Sequence, residues 1–212
     1  MNVTAVTIPQ LFYDFIARVI PGFFLSALFL LFFPVLSEDY LPEAFTASDN
    51  FISSFFKAAG YLIICYIIGW ILEGYRVKSS SKSVTKEHEA KLEPDEITLS
   101  KMYKTIRNTY EKVGFRIIKL RAEARMLEAN RMAAYLVAIL CFVFFIIAIF
   151  QKGFQESDTY IWLGKSLILF VVGYSFQKSE PKAWNRYWGN VKEQYRILFD
   201  KEKDSKQKKS DK

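Results

Sequence analysis

Four long apolar stretches punctuate the chain, at Phe15–Leu36, Phe51–Leu72, Ala133–Phe150 and Tyr160–Phe176. Each is roughly 17–22 residues, and a helix of about 20 residues crosses the hydrocarbon core of a bilayer. The pattern predicts an all-α protein. Four transmembrane helices, within residues 15–73 and 133–176, carry a helical cytosolic extension. No basic region precedes the first stretch and no small-x-small cleavage site follows it, so it reads as a retained span.

Outside the spans the pattern defines five segments. In residues 1–20, Leu11, Phe12, Phe15, Ile16, Val19 and Ile20 recur at helical spacing, and Pro21-Gly22 interrupts them. This is either an interfacial amphipathic helix that feeds the first span or the start of one long, kinked span. Asp14 and Arg18 share the other face at i,i+4, acid first, as a boundary ion pair. Residues 74–94 are polar and basic without apolar period, and read as a flexible linker. Residues 95–132 then show a heptad seam: Tyr103, Ile106, Tyr110, Val113, Ile117, Leu120, Ala124 and Leu127 follow 3-4 spacing. No proline interrupts Asp95–Phe150, so one nearly continuous helix is expected, projecting roughly 50 Å before it enters the membrane. Gly114 is its one weak point. Residues 177–200 repeat the device with Trp184, Trp188, Val191, Tyr195 and Leu198, and the basic tail 201–212 reads as disordered. The two seams run in opposite directions and could pack together, within one subunit or between subunits.

Charge orients these elements. The net charge is +7, and 25 of the 29 Lys and Arg lie in residues 74–132 and 177–212. The loop at residues 37–50 has four acids and no Lys or Arg. The positive-inside rule places both termini and the long loop in the cytoplasm. Arg116, Lys119, Arg121, Arg125 and Arg131 would form a basic face toward anionic inner-leaflet lipid or a partner. Nucleic acid is a less favoured ligand, because the interleaved aromatics Tyr103 and Tyr110 belong to the seam. Lys57 and Lys165 are expected to snorkel from span ends.

Catalytic chemistry is not legible. Cys65 and Cys141 sit in apolar runs as small hydrophobes. The single histidine, His88, lies between two glutamates in the linker and is expected to be solvated. There is no metal-ligand spacing, P-loop, Rossmann glycine pattern or Gly-x-Ser-x-Gly. No catalytic, cofactor or metal residue is assigned. Asp14 and Glu73 are carboxylates near the membrane face with nothing else expected to converge on them.

The four Phe-rich spans (Phe23-Phe24, Phe32-Phe33, Phe55-Phe56, Phe144-Phe145) and the basic helical part resemble the small multi-pass membrane proteins of bacterial antiphage loci. These include the membrane accessory proteins of type VI-B CRISPR systems. The resemblance is architectural and carries no site residues. It implies a bacterial inner-membrane effector or regulator in antiviral defence. The expectation is a non-enzymatic, self-associating protein that changes permeability or docks a cytosolic protein partner. The alternatives are a small channel or transporter subunit and an enzyme acting on lipid headgroups.

Overall fold

The computed structural model of the chain describes residues 4–33, 51–74, 80–92, 98–109, 111–152 and 157–210. These form six helices and, among the described residues, no strand. The helices are α1 (Thr4–Phe32), α2 (Phe51–Gly74), α3 (Ser80–Ala90), α4 (Leu99–Thr109), α5 (Glu111–Lys152) and α6 (Ser157–Ser210). Four of them, α1, α2, α5 and α6, are long and apolar enough to cross a membrane. The protein is an all-α integral membrane protein.

The chain divides into two compact units. A polar-helix unit comprises Met1–Asp14, Lys78–Ala124 and Glu180–Lys212, and a span unit comprises Phe15–Val77 and Arg125–Ser179.

In the span unit, α1 and α2 lie backbone to backbone. A Cβ at Gly22 would overlap the Cys65 carbonyl oxygen, and one at Gly69 would overlap the Arg18 carbonyl oxygen. A step of four along α1 is matched by a step of four back along α2. That antiparallel register needs glycine at both contacts, because lipid-facing helices gain by close backbone approach. Small residues do the same on α5. Ala129, Ala133, Ala134, Ala138 and Cys141 are all buried. Across α5 and α6, Ser166 Oγ donates to the Ala138 carbonyl at 2.9 Å. The Tyr135 ring fills the notch at Gly173, and its hydroxyl donates to Gln177 Oε1 at 2.6 Å.

The core of the polar-helix unit gathers Val84, Leu99, Met102, Tyr103, Ile106, Ile117, Ala124, Trp184, Tyr187 and Val191 from four helices.

Several sequence expectations are corrected. Residues 95–150 are not one helix. The chain folds back between α4 and α5: Arg121 Nη1 reaches the Tyr103 hydroxyl at 3.4 Å across 18 residues. A straight helix would hold their backbones about 27 Å apart. Gly114 lies in the first turn of α5, where an added Cβ would meet the Arg107 Cα at 3.5 Å. The heptad spacing survives because both arms bury the same kind of face, so the 50 Å projection is not formed. The linker at 74–94 contains helix α3, whose Val84 enters the core. Leu92, just past the helix, packs against the same core. Of the two readings of residues 1–20, the helix does not end at the proline, since α1 runs through Pro21-Gly22. Proline removes one backbone donor, a loss that membrane helices tolerate. The tail at 201–212 is not wholly irregular, because α6 continues through Pro181 to Ser210. After Gly189 it meets neither glycine nor proline, and Lys, Glu and Gln favour helix.

Candidate functional site

The span unit holds a cluster of opposite charges built from three helices. Arg18 on α1 directs Nε to Glu73 Oε2 at 3.0 Å, and its Nη1 donates to the Tyr66 hydroxyl at 2.6 Å. Arg125 on α5 brings Nη1 to Glu73 Oε1 at 3.5 Å. Each oxygen of one carboxylate on α2 therefore takes a different guanidinium. The three charged side chains are only 18–25% exposed. The Arg18 guanidinium also lies over the Tyr66 ring, 5.4 Å from its centre, and that ring stacks on Phe15. The local cause is the glycine contact. Gly69 sets the α2 backbone against Arg18, and Glu73 stands one helical turn further on.

Chemically, the cluster is a strut. A carboxylate held between two guanidiniums, largely shielded from solvent, makes charge-assisted contacts to both partners. It ties α1, α2 and α5 at one level of the unit. The sequence expectation that nothing converges on Glu73 is thus corrected. The signal was the isolated Arg18 and Glu73, each an ionisable residue in or at the end of an apolar run. The i,i+4 reading pointed to Asp14 instead. Asp14 falls in the polar-helix unit, within electrostatic range of Arg121.

At the other end of the span unit, Lys165 Nζ donates to the Phe32 carbonyl at 2.8 Å. It also stands 4.4 Å from the centre of the Trp162 ring. Rather than simply snorkelling, it caps the negative C-terminus of α1. Phe33, Phe144 and Trp162 pack against one another with ring centres 5.1–5.4 Å apart.

No family model matches the chain, and no curated protein or solved structure shows significant similarity to it. The reading therefore rests on the residues.

The predicted seam residues are placed as follows. Tyr103, Ile106, Ile117, Trp184 and Val191 are buried in the polar-helix core, with Val113, Leu120 and Trp188 packed against it. Leu127 is half-buried in the span unit, and Tyr110 lies outside the described residues. The core that joins α4, α5 and α6 is formed within one chain.

The five basic residues do not make one face. Arg116 and Lys119 are exposed. Arg121 lies over the Tyr103 ring at 5.2 Å. Arg125 is engaged with Glu73 in the other unit, and Arg131 is half-buried. A helix distributes successive positions around its axis, so basic composition alone does not define a surface.

His88 is not a free linker residue. Its Nε2 lies 3.0 Å from Asn185 Oδ1 on α6. Beside it Trp188 Nε1 donates to Thr85 Oγ1 at 2.9 Å, and Lys192 Nζ donates to the Lys91 carbonyl at 3.3 Å. These contacts latch α3 to α6, and sequence periodicity could not show them. Among the described residues, no three His, Cys, Asp or Glu side chains come together as metal ligands.

Proposed function

We propose that this chain is a non-enzymatic integral membrane effector or regulator, with both termini and residues 74–132 in the cytoplasm. It self-associates and docks a cytosolic protein partner, using the helices of the polar-helix unit. Antiphage defence in a bacterial inner membrane is the setting that its architecture suggests. One observation carries the reading: the carboxylate at the heart of the span unit is engaged by two guanidiniums from neighbouring helices. A carboxylate so engaged suits a mechanical joint better than a proton-transfer group or a mobile-ion site. The polar-helix unit then offers outer helix faces for association, its core being closed within the chain.

The test is purification of the full chain in detergent, with mass determination and identification of what co-purifies. Flux is measured in parallel after reconstitution into liposomes. A defined homo-oligomer retaining a cytosolic protein is expected. A partner-free monomer would overturn the reading. Selective solute flux would favour a channel or transporter subunit, and turnover of lipid headgroups would favour an enzyme.

A further inference from the structure

The polar-helix unit buries most of its large apolar side chains, but a group near the chain's entry into the spans stays in the open. Leu11 is 69% exposed, Phe12 58% and Phe115 41%. Phe12 and Phe115 flank the same ring. The Tyr13 ring meets Phe115 edge-on at 5.2 Å and Phe12 at 5.8 Å, bringing α1 and the start of α5 together. Beside Phe115 stand Arg116 and, one turn on, Lys119, both exposed. The Lys119 ammonium is only loosely engaged, 3.9 Å from Glu123.

We infer that Leu11, Phe12, Phe115, Arg116 and Lys119 form a contact surface for an anionic lipid leaflet. Exposed aromatic and aliphatic side chains flanked by Lys and Arg are the composition that settles at a headgroup boundary. The apolar groups enter the acyl edge, and the cations meet lipid phosphates. Chain position agrees: Phe12 precedes the first residue of the span unit by three positions, and Lys119 precedes Arg125 by six. A second copy of the chain fits less well. A two-fold interface would gather Arg116 and Lys119 of both copies into one contact, four like charges within a single patch. This surface does not depend on the function proposed above.

The test uses the full-length protein in nanodiscs, with Cys65→Ala and Cys141→Ala as background. Spin labels are placed at Phe12→Cys and Phe115→Cys, with Lys104→Cys, exposed on α4, as the aqueous control. Discs contain phosphatidylcholine alone or mixed with phosphatidylglycerol. Both phenylalanine-site labels should be severalfold less accessible to a water-soluble nickel chelate than the control, and more accessible to oxygen. The difference should grow with phosphatidylglycerol and shrink in high salt, since exposed charges are screened within a Debye length. Combining Arg116→Glu with Lys119→Glu should abolish the dependence on lipid charge. The inference is overturned if both labels are as open to nickel as the control in every disc. It also fails if spin–spin broadening shows a second copy on the patch, or if lipid dependence survives charge reversal.

Discussion

Two residues decide how the span unit is assembled, and both act through what they leave no room to replace. Glu73 bridges two arginines, so Glu73→Gln leaves both guanidiniums short of an anion in a place poor in water. The expected loss is on the order of 2–4 kcal/mol, read as thermal stability in detergent. Replacing Arg18 and Glu73 together by methionine should cost less than the two single changes added, because the Arg18 charge leaves with its partner and only Arg125 loses the carboxylate. Strict additivity would show that the pair is not coupled. Gly22 acts by absence. A Cβ there would overlap the Cys65 backbone, so Gly22→Ala should force α1 and α2 apart and cost about 1–3 kcal/mol. Gly60→Ala is the control: nothing lies within 4 Å of its Cβ position, and helix propensity alone should raise stability by up to about 1 kcal/mol. Equal effects at the two glycines would remove the close-approach argument.

The turn between α4 and α5 is the most informative feature at the level of elements. Spin labels at Lys101→Cys and Lys119→Cys would sit about 27 Å apart on one straight helix. The fold-back predicts a much shorter distance, and a value near the straight-helix length would contradict it. Ile117 lies in the core that the fold-back creates and is 1% exposed. Ile117→Asp should therefore lower stability by more than the ~2–5 kcal/mol typical of truncating a buried aliphatic, since it buries a charge without a partner. An unchanged melting temperature would place Ile117 in solvent. Helix α3 rests on weaker contacts. Lys91 holds the Glu87 carboxyl below its ordinary carboxylate range through a 2.6 Å ion pair. A depressed folded-state value means that this contribution is fully present above the ordinary range and lost as pH falls from there through the lowered folded-state value. The pair is exposed, so Glu87→Gln should leave the melting temperature nearly unchanged at neutral pH and reduce its dependence on acid.

Across the whole molecule, the asymmetry of charge makes a topological prediction. Cysteines introduced at Ser81 and Ser205 should resist an impermeant thiol reagent in intact cells, and one at Ala47 should react. Labelling at Ser81 without labelling at Ala47 would invert the proposed orientation.

What the sequence determined alone is what local sums determine. Four apolar runs of spanning length specify four long helices, and 3-4 spacing marks which side chains of α4, α5 and α6 can share a core. These readings need only the neighbours of each residue along the chain. The sequence could not show that residues 95–132 fold back, because heptad spacing repeats alike on one long helix and on two short ones that bury the same face. Nor could it show that Arg18 pairs with Glu73, 55 positions away. That choice depends on Gly22 and Gly69 admitting two backbones at contact distance. His88 shows the same limit from the polar side: a hydrophilic stretch reads as linker until the fold brings Asn185 to its ring. Tertiary structure decided each of these, because pairing energy depends on which backbones meet, and hydropathy along a single chain carries no record of that.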